Sequence, residues 1–276
     1  NILDEYVDKF IITESKFTHS GKVKNKNFRI ENFNKFQKKI EYFYIENEPK
    51  NLKKVQDGDS EEELNNKKIY NGLLRDNYQR ECLSQGIKKL NNEDIIILSD
   101  LDEIPNLEDI NFKNIKKDIL LFEQKMFYYK LNLLYPRLLW YGTKACRKKS
   151  FFSPQWLRNI KAKKYPLWRI DTLFSKKKYS NIQIIKNGGW HFTNMKNPKN
   201  LHKKMKEFAH HPEYEETKYS EKDMEKFIKN KLVFYDHFSD KNKNRFDSKN
   251  KLEKVGENIL PKYLGKNLKK YKSWID

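Results

Sequence analysis

Cysteine, arginine and long apolar runs are all scarce in this chain of 276 residues, and each shortage closes off a class of protein. The two cysteines, Cys82 and Cys146, stand far apart with no metal or redox spacing. That excludes a structural zinc site and leaves buried free thiols as the default. No apolar run nears the ~20 residues of a membrane span, and no secretory leader pattern is visible. Only eight of the 58 basic residues are arginine, so the net charge of +20 is carried by lysine. Bidentate recognition of phosphates and bases favours arginine, so this charge does not read as nucleic-acid binding. It reads as solvated lysine faces, with a nucleotide diphosphate or peripheral contact with an acidic membrane surface as the functional alternative. The Lys, Asn and Ile bias fits a low-GC bacterium or a large virus, and a cytoplasmic location is expected. Carboxylates fail in one place: between Glu123 and Glu207 only Asp171 is acidic.

Against these shortages stands a 14% aromatic content, enough for Tyr and Phe to supply much of a core. The stretch Asp94-Ile95-Ile96-Ile97-Leu98-Ser99-Asp100-Leu101-Asp102-Glu103-Ile104-Pro105 carries the most information. Its apolar run reads as a buried strand. A strand that stops on acidic residues places them where open α/β folds hold their ligands. Carboxylates gathered there repel one another unless a cation lies between them, and a divalent metal with oxygen ligands is the natural partner. A solvated acidic turn is the plain alternative.

The remaining pattern predicts strands over 7–14 and 40–45, a polar loop over 15–26, a mobile charged loop over 47–66 and a helix from about Asn71 to Leu90. Strands follow over 119–123, 127–129 and 180–186, and helices over 201–210 and 221–231. No internal repeat is present. The order strand, loop, strand, helix, strand points to an α/β fold. One domain is expected over 1–240, with a basic helical extension over 241–276.

Several further groups are candidates for chemistry. Gly188-Gly189-Trp190-His191 lets backbone approach a ligand closely, offers Trp190 as an apolar or sugar-stacking wall, and supplies His191 as a ligand or base; a tight turn with a core Trp is the plain reading. Arg75 and Arg80 stand close together on one helix, hinting at phosphate. Asp171, alone in a basic and aromatic region, is a candidate general base, against a salt bridge with Arg169. His210 and His211, before Glu213, either ligate or simply end a helix.

Taken in order, Ile12-Thr13-Glu14-Ser15 with Gly21-Lys22, Tyr78-Gln79-Arg80, the Ser99–Pro105 segment, Phe127-Tyr128-Tyr129-Lys130-Leu131-Asn132, Trp140-Tyr141-Gly142, Gly189-Trp190-His191 and Glu213 resemble glycosyltransferase family 17. The resemblance implies a GT-A-like fold with a mixed, mostly parallel sheet flanked by helices. It also implies a UDP-sugar donor, UDP-GlcNAc in the first place, a Mn2+ or Mg2+ ion, a glycan acceptor and inversion at the anomeric carbon. On that basis Asp100, Asp102 and His191 are expected to hold the metal. Glu14, Lys22, Arg75, Arg80, Asp100 and Trp190 are expected on the donor, and Asp171, with Glu213 and Glu103 behind it, as the base. A phosphohydrolase of the haloacid dehalogenase kind also ends a strand in Asp-x-Asp, but Ile104-Pro105 stands where that family wants Thr or Val. A non-catalytic carbohydrate- or nucleic-acid-binding module is the other alternative.

Overall fold

The computed structural model describes residues 1–276 except 164, 166–174, 176, 180, 208–210, 236–244, 247 and 249. In chain order its helices and strands are β1 (Phe10–Ser15), β2 (Ile40–Ile45), α1 (Glu61–Glu81), α2 (Ser84–Ile87), β3 (Ile95–Leu98), β4 (Glu103–Pro105), β5 (Ile119–Tyr128), β6 (Leu133–Trp140), β7 (Lys144–Arg147), α3 (Pro154–Asn159), β8 (Ile182–Thr193), α4 (Pro198–Met205), α5 (His211–Glu216), α6 (Glu221–Lys229), β9 (Glu253–Lys254) and α7 (Lys262–Lys266). The chain forms two compact units with interleaved segments. The first comprises Asn1–Asp8, Ser84–Met195 and Glu253–Asp276; the second comprises Lys9–Leu83 and Lys196–Leu252. No helix among the described residues is long and apolar enough to cross a membrane.

The first unit is organised around β5. Nine of its ten residues are buried, as a strand covered on both faces requires. Along one edge its first half pairs with β7 and its second half with β6, both antiparallel; along the other edge β8 runs parallel to it. β3 extends the sheet beyond β7, and β4 extends it beyond β8. The sheet is therefore mostly antiparallel, not mostly parallel as the resemblance implies. The reason lies in the connections. β6 returns beside β5 through a short link, which reverses the chain, and β7 continues in the direction of β6 along the same edge of β5, whereas a parallel neighbour needs a crossover of a dozen or more residues. Only β8, reached through the long segment that carries α3, meets that condition within this sheet. Hydrophobic Ile119, Leu121, Phe122, Met126 and Phe127 fill the centre at 2% exposure or less.

Two expected strands, over 119–123 and 127–129, are one continuous β5. The expected strand over 180–186 continues through the glycine pair as β8, and a register shift opposite Phe122 and Gln124 absorbs the irregularity. Gly189 takes φ +137°, and a Cβ there would overlap the Ile104 carbonyl oxygen of β4. Glycine thus permits the β4–β8 contact that sets Glu103 opposite His191. The C-terminal segment from Glu253 belongs to this unit. Leu260 and Leu264 are buried with Phe127, Leu131 and Phe192, and Leu131 N–H donates to the Trp274 carbonyl at 2.8 Å.

In the second unit β1 and β2 pair in parallel. α1 begins at Glu61, ten residues before the expected start, inside the span read as a mobile loop. The Ser60 hydroxyl accepts from Glu63 N–H while the Glu63 carboxylate accepts from Ser60 N–H. That capping box satisfies two of the amide groups a helix start leaves open.

Candidate active site

The turn after β3 is held by Glu103. Its side chain is fully buried. Its Oε2 accepts from the Asp100 N–H at 2.9 Å, and its Oε1 accepts from Trp140 Nε1 at 2.6 Å and from Arg158 Nη1 at 3.1 Å. The same Arg158 Nη1 reaches the Gly142 carbonyl at 2.7 Å, while Nη2 reaches Asp100 Oδ2 at 2.7 Å. The guanidinium carbon lies 5.8 Å from the centre of the Trp140 ring. Behind the turn, the Ser99 and Thr143 hydroxyls meet at 2.8 Å, and Gln124 Nε2 donates to Thr143 Oγ1 at 3.0 Å. Gly142 is required here, because a Cβ would overlap Glu103 Oε1 and Trp140 Nε1.

The strand pairing delivers His191 to this turn. Phe192 N–H donates to the Asp102 carbonyl at 2.8 Å. His191 Nε2 then lies 3.3 Å from Asp102 Oδ2, with the His191 ring tilted against Trp140 at a centroid distance of 4.9 Å. Among the described residues His191 Nδ1 is buried with no hydrogen-bond partner, and Nε2 is the ring nitrogen that faces Asp102. His191 is buried, whereas the Asp102 side chain is 36% exposed. The pair is thus one buried imidazole and one partly exposed carboxylate.

The two carboxylates of the Asp-x-Asp turn are therefore parted. Asp100 is committed to Arg158 and Asp102 to His191. Among the described residues no three His, Cys, Asp or Glu side chains form a ready metal cage. The Asp102–His191 pair nevertheless fits a metal that arrives with a substrate. Octahedral bonds of 2.0–2.1 Å place neighbouring donor atoms about 3 Å apart, and Mg2+-type ions typically take one or two protein ligands and complete their shell with phosphates and water.

Trp190 does not line this site. It stands on the opposite face of β8 from His191, packs with the Leu260 and Leu264 cluster and donates from Nε1 to the Ile259 carbonyl at 2.6 Å. The aromatic wall is Trp140. Glu103 is likewise corrected from base to scaffold: both oxygens are occupied and the side chain is shut off from solvent. Arg158, Lys144 and Trp140 are site residues that the sequence reading did not assign. The scarcity of arginine, eight residues in the whole chain, was the only sequence signal for the first.

The expected donor residues Glu14, Lys22, Arg75 and Arg80, and the acid Glu213, belong to the second unit. Glu14 Oε1 accepts from Lys24 at 2.5 Å and Asn27 N–H at 2.8 Å; Oε2 accepts from Phe28 N–H at 3.0 Å and the Tyr42 hydroxyl at 2.9 Å. All four lone-pair positions of a carboxylate are filled, so Glu14 clamps its own loop instead of a nucleoside. Arg75 binds Glu48 at 2.6 Å and the His19 carbonyl at 3.1 Å. Arg80 pairs with Asp76 at 3.0 Å. Lys22 is exposed on the turn it closes with Thr18. Glu213 lies 4.0 Å from Arg245 and His211 is buried. Asp171 and His210 lie outside the described residues.

Burial pushes the Glu14 carboxyl up, but Lys24, the two amides and Tyr42 override it and bring it from 4.5 down to about 2. A depressed acid stabilises the fold above its unfolded value and loses that contribution as pH falls toward its folded one. Glu14→Gln is therefore expected to cost roughly 2–3 kcal/mol at pH 7 and far less at pH 2, as read from urea unfolding at the two pH values. Equal losses at both would remove the charge as the cause.

The family model described as glycosyltransferase family 17 matches residues 1–275. No curated protein and no solved structure matches the chain.

Proposed function

Because the chain belongs to glycosyltransferase family 17, matched from residue 1 to residue 275, we propose a metal-assisted, inverting transfer of N-acetylglucosamine from UDP-GlcNAc to a hydroxyl of a glycan acceptor. Glycosyl transfer follows from the family, which sets aside the phosphohydrolase and the non-catalytic binding module.

The observation that carries it is the Asp102–His191 pair, with donor atoms 3.3 Å apart, one of them on a partly open side chain. Mn2+ or Mg2+, held there by Asp102 and His191, would neutralise charge on the departing diphosphate. The protein's own groups prepare that place. Glu103 fixes the turn so that Asp102 projects outward, and Trp140 covers the His191 ring and keeps water from it. Arg158 adds a fixed positive charge beside Asp100, in a setting where preorganised charge needs no rearrangement during reaction. Inversion needs a single displacement by the acceptor hydroxyl and one base. Asp171 is proposed for that role, so Asp171→Asn should bind donor normally and fail to transfer.

A thermal-shift series with nucleotide sugars, with and without Mn2+, tests the reading. UDP-GlcNAc at about a hundred times its Kd adds about 2.7 kcal/mol of stability, and the shift should vanish in EDTA. A shift of equal size in EDTA would overturn the metal. A shift with a different nucleotide sugar alone would overturn the donor.

A further inference from the structure

Lys144, on β7, has only 5% of its surface exposed. Its ammonium donates to the main-chain carbonyls of Arg158 and Ile160, the latter at 2.6 Å. These carbonyls lie at the end of α3, where the last C=O groups of a helix have no partner within it. Burial, together with the neighbouring Arg158 charge, pulls the Lys144 pKa down to about 7. A buried ammonium is a costly way to fill space that a methionine would fill without charge. What it holds is the residue whose guanidinium joins Asp100, Glu103 and the Gly142 carbonyl.

We infer that Lys144 and Arg158 are positioning residues of the reaction: Lys144 pins the end of α3, and Arg158, so placed, commits Asp100 to itself and leaves Asp102 to face His191 and the donor's metal. The inference rests on the proposed reading of the Asp102–His191 pair. Neither residue touches the reacting atoms; each acts through the carboxylates. A planar, forked guanidinium is needed because one side chain serves three acceptors in different directions, which a lysine ammonium on a flexible stem cannot reproduce. The geometry also explains why α3 opens with a fixed start. The Ser153 hydroxyl accepts from Trp156 N–H and Pro154 follows, so the short helix is held at both ends.

The test measures Mn2+ affinity by calorimetry in the presence of UDP-GlcNAc, together with kcat, KM and melting temperature, for the parent chain, Arg158→Lys and Lys144→Met. Arg158 supports the turn that carries Asp102 from outside, and loss of such outer support of a metal site typically costs about 10- to 100-fold in affinity or activity. Arg158→Lys should fall in that range. Lys144→Met, acting one step further out, should lose about tenfold, at the lower end of the same range, with its melting temperature unchanged or raised. If Lys144→Met does not fold, Lys144→Gln, which keeps one carbonyl donor, replaces it. Parent-like Mn2+ affinity and kcat in both variants would overturn the inference while leaving the proposed function intact. A lowered melting temperature with parent-like affinity in the folded protein would also overturn it, since that is a structural role alone. If the parent chain binds no Mn2+ with donor present, the reading of the site fails first and takes the inference with it.

Discussion

Asp102→Ala is expected to fold like the parent chain and to lose sugar transfer by about a thousandfold, roughly 4 kcal/mol of barrier. The two halves of that expectation have separate grounds. Asp102 is partly exposed, and its Oδ2 lies 3.3 Å from His191 Nε2. Pairs of that exposure contribute about 1 kcal/mol or less to stability. Its loss leaves the β4–β8 pairing in place, because that pairing uses the Asp102 main-chain carbonyl. Catalysis is different, since Asp102 is the carboxylate of the turn that lies beside His191 and is proposed to hold the metal with it. The measurement is steady-state turnover of UDP-GlcNAc across a Mn2+ titration, with a melting curve on the same preparation. Turnover near the parent rate, or equal in excess chelator, removes the metal role of Asp102. His191→Ala should act in the same direction with a smaller loss, because the carboxylate remains.

The local parts of this arrangement were legible in the sequence, and the assembling parts were not. The apolar run 95–98 with its acidic end, and the glycine pair before His191, both announce themselves within a dozen residues. Their meeting depends on β4 pairing with β8, some 90 residues apart, and periodicity carries no information on partners or strand direction. Trp190 and His191 show why. A strand sends neighbours to opposite faces, so only one of the two can line the site, and the motif does not say which. Trp140, on the neighbouring strand β6, is the ring that meets His191. Glu14 and Glu103 illustrate a second limit. A carboxylate at the end of a strand looks the same in sequence whether it awaits a ligand or is saturated by its own loop, as Glu14 is by four donors. α1 shows a readable signal overlooked: Ser60-Glu61-Glu62-Glu63 is a capping-box pattern, hidden by the charge around it.

Glu103→Ala is expected to be the most destabilising single change at the site, by about 3–5 kcal/mol. Removing one partner of a buried ion pair leaves the other uncompensated, and here three donors lose an acceptor at once: Trp140 Nε1, Arg158 Nη1 and the Asp100 N–H. Glu103→Gln keeps the shape but presents amide hydrogens to groups that are all donors, so it should lose roughly 2–4 kcal/mol. The double variant Glu103→Gln, Arg158→Met removes both charges and should recover part of that loss, because the cost lies in the unpaired charge more than in the missing contact. Chemical denaturation of the three proteins reads these differences directly. The same series decides between scaffold and base. A base can be replaced by its amide with the fold intact and kcat abolished, whereas a scaffold carboxylate loses stability first. A Glu103→Gln protein with parent-like stability and no turnover would return Glu103 to the reacting centre and displace Asp171 from it.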